Sequence, residues 1–228
     1  MRRFCYWISR TLCRLILGGV SRIRVLHRER GARPGGWILA ANHISHFDPP
    51  FLTAATPRKI DWMAMSELFS NRWAGAWLRV NDTFPVDRNR VDRAAVRMAL
   101  DRLARGHVVG MFPEGGIRDG AGSVLGGAAL RPGSAALAQM SGTPIIPCVL
   151  LGSDRLYCAR NWLPLRRVPA WIAFGEPLKC AGAGKEARTQ LEAALAESLR
   201  ALAEELRRTF QLRENDFPQP PLERQHGR

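Results

Sequence analysis

Short apolar runs alternate with amphipathic stretches along the chain, and this alternation predicts an α/β layer architecture. Strands are predicted at 36–42, 60–65, 83–87, 107–112, 144–151 and 170–175. Helices are predicted at 4–24, 67–79, 91–105, 132–140 and 185–210. The last helix has the clearest pattern, because its leucines recur at spacings of three and four residues between glutamates and arginines.

The first predicted helix has two unlike faces. Three arginines share a narrow stripe: Arg3, Arg10 and Arg14. A broad face is largely apolar: Phe4, Ile8, Thr11, Leu12 and Leu15. The pattern is typical of an uncleaved helix lying in a membrane interface, although a helix packed on the domain's own core shows it too. The arginines interrupt the apolar core of a signal peptide, and no stretch reaches the roughly 18–20 apolar residues of a membrane span.

The predicted helix 67–79 carries Phe69, Trp73 and Trp77 on one face. A spacing of four residues is typical of a buried face, so we expect these rings in the core. The alternative is a wall of an acyl groove or a belt at the membrane interface, where tryptophan is enriched.

These patterns divide the chain into a membrane-docking helical segment, 1–30, one folded domain, 31–210, and a tail, 211–228. The tail is polar and rich in proline, so we expect it to be disordered. A chain of 228 residues can bury a sizeable core without disulfides or metals. Its 5 cysteines form no Cys-x-x-Cys pair, which favours a reducing compartment.

The net charge of the chain indicates the class of partner that it binds. The chain has 34 Lys+Arg and 20 Asp+Glu, a formal net charge of +14, which predicts an acidic partner. An anionic membrane and a nucleic acid both qualify, but arginine is spread through the chain and no nucleic-acid-binding motif is present. A basic binding module without catalytic activity is therefore the non-enzymatic alternative.

The segment 42–48 follows the apolar run 37–41, and ligand sites of α/β sheets lie beyond the carboxyl ends of strands. His43 can take a proton from a hydroxyl near neutral pH, and Asp48 can orient its imidazole and stabilise the cation. Residues five apart do not share a face of a regular helix, so the segment must curl, with Asp48 held extended before Pro49. The residues alone also fit Asp48 as a helix cap and His43 as a buried core histidine.

Three later segments carry further candidates. Arg88 ends the segment 84–88 and could clamp a phosphate, or could be a surface arginine paired with Asp87. In 112–118 an acidic residue precedes two glycines, which permits a tight turn close to a ligand. The apolar segment 143–147 contains two prolines, which predicts an edge strand or a shaped wall.

The order and spacing of these segments resemble the glycerolipid acyltransferases, the family of 1-acylglycerol-3-phosphate acyltransferases. The resemblance extends from about Trp37 to Pro177 and rests on Asn-His-x-Ser-x-x-Asp followed by Phe-Pro-Glu-Gly. It implies an α/β fold with a mixed β-sheet flanked by helices, glycerol-3-phosphate acyltransferase-like, with an N-terminal amphipathic membrane-docking helix.

The resemblance also implies roles for individual residues. His43 would be the general base and Asp48 its orienting partner. The implied substrate contacts are acceptor binding by Arg88, Glu114, Gly115 and Arg118, and an acyl channel bordered by Pro144 and Pro147.

The implied reaction moves a fatty acyl group from acyl-CoA or acyl-carrier protein to a lysophospholipid hydroxyl, with 1-acylglycerol-3-phosphate as the expected acceptor. It needs no bound cofactor, metal or nucleic acid. We expect the enzyme on a membrane phospholipid surface, at the cytoplasmic face of the inner membrane. Two departures concern the acceptor: Gly116-Ile117 delays Arg118 by one residue, and Met65 stands where family members often carry a lysine. Another lysolipid or a lyso-amino-acid lipid is the alternative acceptor.

Other enzyme classes have weaker support. The Gly-x-Ser-x-Gly elbow of a serine lipase is missing from the sequence. A metal hydrolase could use His43, His46 and Asp48, but the sequence has no His-Glu-x-x-His motif. A dinucleotide fingerprint is not met, because Gly126 follows Gly120-Ala121-Gly122 one residue late.

Overall fold

The computed structural model describes residues 2–87, 92–163 and 166–225. The strands found there are β1 (Ser21–Leu26), β2 (Trp37–Ala41), β3 (Ile60–Met65), β4 (Phe84–Val86), β5 (Val108–Met111), β6 (Ile145–Leu151) and β7 (Val168–Phe174). The α-helices are α1 (Arg2–Val20), α2 (Asp48–Ala55), α3 (Arg72–Val80), α4 (Arg93–Ala104), α5 (Gly133–Ser141), α6 (Gly184–Phe210) and α7 (Pro221–Gln225). Short 3-10 turns connect several of them.

Within the described residues the strands form one sheet in the order β1-β7-β6-β2-β5-β3-β4. Strands β2 to β6 run parallel to one another, whereas β7 is antiparallel to β6 and β1 is parallel to β7. The carboxyl ends of β2 to β6 and the amino ends of β1 and β7 therefore lie at the same edge of the sheet, here called the upper edge. The prediction of a mixed α/β sheet flanked by helices is confirmed.

The sheet separates two apolar cores. Ile38 and Ala40 of β2 face the core formed with α4, α5 and α6. Trp37, Leu39 and Ala41 alternate with them and face the core formed with α1 and α2. Every residue of β2 is buried, as expected for a central parallel strand covered on both faces.

Two elements differ from the sequence prediction near the first helix. The helix predicted at 4–24 ends at Val20, and β1 follows directly. Its sequence Ser-Arg-Ile-Arg-Val-Leu alternates in polarity, so it suits an edge strand with one face exposed. The predicted domain boundary at residue 30 thus falls beyond a strand that already belongs to the sheet. The sequence indicated only a possible helix cap at Asp48 and not the helix α2 itself, because α2 has just 8 residues.

Strand β6 lies between β7 and β2, so the prediction that its prolines mark an edge strand is wrong. The last pair between β6 and β7 is Cys148 with Phe174. Pro147 lies just beyond that pair, and its carbonyl accepts the Gly175 N–H at 2.8 Å. Pro147 thus lies opposite Gly175, past the end of β7, where a residue without an N–H interrupts no pair of the β6–β7 ladder.

The arginine stripe of α1 faces the protein. Arg10 donates from Nη2 to the carbonyl of Thr56 (2.5 Å) and from Nη1 to that of Pro57 (3.1 Å). Arg14 donates from Nε to the carbonyl of Ala54 (3.0 Å). These carbonyls lie at the carboxyl end of α2, where free acceptors and the helix dipole favour cations. The side chain of Arg3 lies outside the described residues.

The apolar side of α1 faces outward. Phe4 is 64% exposed, Trp7 63% and Leu15 69%. Burial of this face in the domain's own core, the alternative from the sequence, is therefore wrong. None of the helices in the described ranges is long and apolar enough to cross a bilayer.

The tryptophans of α3 are exposed as well, so the prediction of a core position for them is wrong. Trp73 is 79% exposed and Trp77 50% exposed. The helix buries Gly75 instead, and a Cβ at that position would approach the carbonyl oxygen of Phe69 to 2.8 Å. Close backbone packing thus turns the indole face away from the core.

The segment predicted as a disordered tail packs on the domain over residues 211–225. Arg224 is 6% exposed and its Nε contacts Asp154, 1% exposed, at 2.6 Å. Arg224 also donates to the carbonyls of Asn215 (2.9 Å) and Phe217 (2.8 Å). A polar and proline-rich composition gave no sign of this contact, because Arg224 and Asp154 are polar residues that lie 70 positions apart in the chain. Residues 226–228 lie outside the described part.

Gly110 of β5 tests the packing beneath the upper edge. A Cβ there would lie 2.5 Å from Cγ2 of Ile60 and 2.6 Å from Cε3 of Trp62. Gly110→Ala should therefore lower the free energy of unfolding by about 1–3 kcal/mol, measured by urea denaturation. Gly122→Ala is the control, since a Cβ there meets nothing within 4 Å. Equal stability of the two variants would contradict this packing.

Candidate active site

The segment after β2 is held to the sheet by a side chain. Asn42 is 1% exposed; its amide donates to the carbonyl of Leu150 (3.0 Å) and its Oδ1 accepts the Leu150 N–H (2.8 Å). This pair continues the contact between β2 and β6 past the end of β2. The next residues can then leave the strand direction without losing their position at the upper edge.

His43 and Asp48 meet, as the sequence predicts. Nδ1 of His43 lies 2.7 Å from Oδ2 of Asp48. The curl has another cause than the one expected: Asp48 is the first residue of α2 and not an extended residue. Oδ2 also accepts the N–H groups of Ile44 (2.7 Å) and Ser45 (3.0 Å), which wraps the segment around the carboxylate. The helix-start and catalytic interpretations of Asp48 are therefore compatible.

The second oxygen of Asp48 is also held. Oδ1 accepts the hydroxyl of Ser153 at 2.5 Å and lies 3.0 Å from Oγ of Ser45. Asp48 has no exposed surface, and its partners are all donors, which favours the ionised carboxylate. An ionised carboxylate only accepts, so Nδ1 of His43 carries a proton and Nε2 presents its lone pair.

The segment 112–118 is joined to His43 through the main chain. Oε2 of Glu114 accepts the His43 N–H at 2.5 Å, and the His43 carbonyl accepts the Arg118 N–H at 2.8 Å. Oε1 of Glu114 accepts the Val124 N–H at 2.7 Å. Both oxygens of Glu114 therefore brace the protein, and the side chain is only 6% exposed.

Burial raises the pKa of Glu114, although the N–H groups of Val124 and His43 oppose the shift. Burial thus disfavours the ionised form of Glu114, and the two main-chain hydrogen bonds offset part of this effect. The resemblance implied that Glu114 shapes the acceptor site, and its contacts indicate an indirect way of doing so, through the backbone of His43.

Phe112 connects the histidine to a cavity. The rings of His43 and Phe112 stack with centroids 4.0 Å apart, and Trp62 stacks on Phe112 at 5.2 Å. Phe112 also lines a cavity of about 980 Å³ between β5, α4 and α5. This volume lies at the upper end of the usual range for ligand pockets.

The cavity is apolar inside and cationic along part of its lining. Its apolar lining includes Met63, Val96, Leu100, Met111, Leu137 and Met140. Its charged lining residues are four arginines, Arg93, Arg97, Arg131 and Arg188, and two aspartates, Asp87 and Asp92. Such a lining suits an aliphatic chain attached to an anionic group.

Gly115 lies where the cavity meets the segment 112–118. Its φ is +72°, and a Cβ there would overlap the side chain of Arg131. Glycine therefore lets a guanidinium approach the turn directly. Arg118 is exposed and its guanidinium lies near Gly116. Arg131 was missed in the sequence, where nothing distinguishes it from other arginines.

Of the three remaining predicted site residues, those that the structure describes do not lie at the cavity. Arg88 lies outside the described residues. Pro144 and Pro147 are both buried at β6, and neither is among the residues that line the cavity.

The sequence interpretation also missed the turn after β6. Ser153 has no exposed surface and contacts Asp48, and the hydroxyl of Tyr157 accepts the His46 N–H at 3.1 Å. The position of Ser153 after a strand that ends at the upper edge was the available signal. His46 lies 2.7 Å from Tyr157 through Nδ1 and is thus turned away from a shared ligand set with Asp48. No group of three metal-binding side chains occurs in the described part of the chain.

Comparison with known proteins decides the family. The family profile described as Acyltransferase matches residues 22–151, more than half of the chain. The chain belongs to the acyltransferase family. It is an acyltransferase enzyme, and its recognised relatives are glycerolipid acyltransferases.

Two curated relatives share a name, 1-acyl-sn-glycerol-3-phosphate acyltransferase. The Bacillus subtilis protein is 28% identical over 153 residues, which cover 67% of this chain and 72% of that protein. The Streptococcus pneumoniae protein is 32% identical over 144 residues, which cover 62% of this chain but only 50% of that protein.

A solved structure shares the fold. It is the crystal structure of the 1-acyl-sn-glycerophosphate (LPA) acyltransferase PlsC from Thermotoga maritima. The TM-score is 0.68 at 20% identity, and the match covers 89% of this chain and 81% of that one.

Ser153→Ala tests the support of Asp48 in this acyltransferase. Loss of a hydrogen bond to a charged group costs about 1.5–3 kcal/mol, so we expect kcat to fall about ten-fold or more with a small change in KM. Ser134→Ala is the control: Ser134 is equally buried, but its hydroxyl has no partner in the described structure. Unchanged turnover of Ser153→Ala would remove Ser153 from the support of the pair.

Glu114→Gln tests the contacts of Glu114 with the backbone N–H groups of His43 and Val124. One oxygen becomes an amide donor facing a backbone N–H, so kcat should fall while KM for the acceptor changes little. Because burial raises the pKa of Glu114, its contribution to stability is greatest below the pKa of an unfolded glutamate and declines as pH rises through the folded value. Thermal unfolding across pH should show that decline in the parent and not in the variant. A change confined to KM would indicate direct acceptor contact.

Proposed function

We propose that this acyltransferase moves a fatty acyl group from an acyl thioester to the hydroxyl of a lysophospholipid in phospholipid synthesis. The observation that carries the proposal is the His43–Asp48 pair, whose imidazole stacks on Phe112, a residue that lines a large apolar cavity. An oriented base and a chain-binding cavity are the two requirements of this transfer.

The reaction needs no covalent enzyme intermediate. Nε2 of His43 takes the acceptor's hydroxyl proton while the hydroxyl oxygen attacks the thioester carbonyl. A C–O bond forms and the C–S bond breaks, and the thiolate leaves with the proton from the imidazolium. Asp48 stabilises the imidazolium between these steps. Positioning of the two bound reactants supplies much of the acceleration.

The cavity beside Phe112 binds the aliphatic part of a substrate. Its apolar lining removes a fatty chain from water, at about 0.8 kcal/mol for each buried CH₂. The arginines at its lining, Arg131 above all, can contact an anionic group at the chain's polar end.

The first acceptor to consider is 1-acylglycerol-3-phosphate, the substrate in the names of both curated relatives. Arg118, next to Gly116, and Arg88 are the proposed contacts of its phosphate. A different lysolipid or a lyso-amino-acid lipid is the second candidate, because Met65 replaces a cation and Arg118 is displaced by one residue.

The proposed donors are acyl-CoA and acyl-carrier protein, which deliver the same thioester. Each is a co-substrate that leaves after transfer, so no bound cofactor is part of the proposal. Pro144 and Pro147 stay proposed borders of the acyl channel by resemblance alone.

We also propose that the enzyme binds the membrane surface through α1 and α3, which contact each other. Both present exposed aromatic and aliphatic side chains, while the α1 arginines face inward. Because the arginines of α1 are hydrogen-bonded within the protein, its apolar face is the one that can contact lipid. We place this surface at the cytoplasmic side of the inner membrane, where soluble donors reach the enzyme.

His43→Ala tests the reaction. Without a base, transfer should fall by at least about 10²–10⁴-fold, the usual contribution of general base catalysis. Release of free thiol and product mass should be followed with a panel of lysophospholipid acceptors. Binding to vesicles should persist, since His43 belongs to neither α1 nor α3. Near-normal turnover by His43→Ala would end the proposal, and the preferred acceptor in the parent decides between the two candidates.

Trp7→Glu with Trp73→Glu tests the membrane surface. Each large apolar side chain is worth about 1.5–3 kcal/mol on burial, so binding to neutral phosphatidylcholine vesicles should weaken at least ten-fold. Leu222→Glu introduces the same charge at a position that is 69% exposed but distant in sequence from both helices. It should leave vesicle binding unchanged. Equal loss in the control would count against α1 and α3.

A further inference from the structure

A second concave surface lies outside the site of acyl transfer. It has a volume of about 560 Å³ and lies between α1, the end of α2 and strand β1. We call it the arginine cleft. The arginines that line it are Arg14, Arg22, Arg28 and Arg167. It shares no lining residue with the cavity beside Phe112.

The positive charge of the arginine cleft is not balanced by the protein. None of its lining residues is acidic, and none of its arginines forms an ion pair in the described structure. Burial lowers the pKa of nearby Arg10, and the charges of Arg14 and Arg28 lower it further. Like charges gathered without carboxylates favour an anion from outside.

Contacts with the carboxyl end of α2 account for only two of the four arginines of the arginine cleft. Arg14 and Arg28 each donate from Nε to a carbonyl at the end of α2, at 3.0 Å and 3.1 Å. Arg22 and Arg167 make no such contact within the described ranges, and both are exposed. Ser21 and Val168 are paired in the sheet, so Arg22 and Arg167 lie at the start of neighbouring strands.

The location of the arginine cleft selects the kind of anion. Arg22 and Arg167 lie at the upper edge, where His43 also lies, whereas Arg28 follows the carboxyl end of β1 at the opposite edge, so the cleft extends along the α1 face of the sheet. Arg14 and Gly18, which line the cleft, belong to the same helix as the exposed Leu15 and Ile16. A ligand that satisfies both surfaces has an anionic group attached to aliphatic chains.

We propose that the arginine cleft binds the phosphate-bearing headgroup of an anionic phospholipid while the apolar face of α1 contacts the acyl region of the same bilayer. This lipid is a structural ligand and is not consumed in the reaction. The proposal rests on the membrane association proposed above and is independent of the role of His43.

The variant Arg22→Gln with Arg167→Gln tests the proposal. Neither side chain has a structural contact in the described ranges, so the fold should persist. Binding to phosphatidylcholine vesicles containing phosphatidylglycerol is measured by co-sedimentation, with pure phosphatidylcholine vesicles in parallel. Each arginine near an anionic surface contributes about five-fold, so the pair should weaken binding about thirty-fold. Binding to pure phosphatidylcholine should be unchanged.

The matched control is Arg200→Gln with Arg208→Gln on α6, which lies on the opposite face of the sheet. It removes the same net charge and should leave both bindings almost unchanged. Equal weakening by test and control variants would show that net charge alone attracts the enzyme, and would overturn the arginine cleft as a site. Equal binding of the test variant and the parent would overturn it too.

Two further measurements separate the possible ligands and proposals. Inorganic phosphate should stabilise the protein weakly in thermal unfolding. Stabilisation by phosphate that equals that of phosphatidylglycerol vesicles and disappears in the test variant would identify a free anion as the ligand. Transfer to detergent-dispersed acceptor should be unchanged in the test variant, because that assay has no bilayer. Loss of that activity would assign Arg22 and Arg167 to the transfer site instead.

Discussion

The buried carboxylate of Asp48 is the centre on which the upper edge is organised. It collects an imidazole N–H, two backbone N–H groups and serine hydroxyls, and it has no contact with solvent. An unpaired charge at this depth would be costly, so the carboxylate and the surrounding loop hold one another in place. The same set of bonds starts α2, curls the segment after β2 and engages Nδ1 of His43, which leaves Nε2 as the other ring nitrogen.

The sequence predicted those parts of the molecule that depend on local pattern. The central strands and α6 follow from apolar runs and from leucine spacing, and His43 with Asp48 follows from the order of four segments. The polar supports arise from pairings that are distant in the chain. Ser153 meets Asp48 across 105 positions, and Glu114 meets the backbone of His43 across 71. Single serines and glutamates carry no local signal of such partners.

The direction in which the two faces of α1 point has a physical reason. An arginine stripe predicts a surface face when water is the only partner for a guanidinium. Here the end of α2 offers carbonyl acceptors, so the arginines are satisfied against the protein. The apolar face of α1 is then left exposed. Amphipathic periodicity thus identifies the two faces of a helix but not their directions.

The stacking of His43 on Phe112 has an electronic consequence. The two rings lie nearly parallel, with an interplanar angle of 14°. Once His43 has accepted a proton, its positive charge lies over the negative face of a π system that Trp62 extends on the other side. A cation in this position, shielded from water, is stabilised by up to about 2 kcal/mol. Phe112 thereby offers an aromatic surface to the imidazolium, in addition to the ionic contact with Asp48.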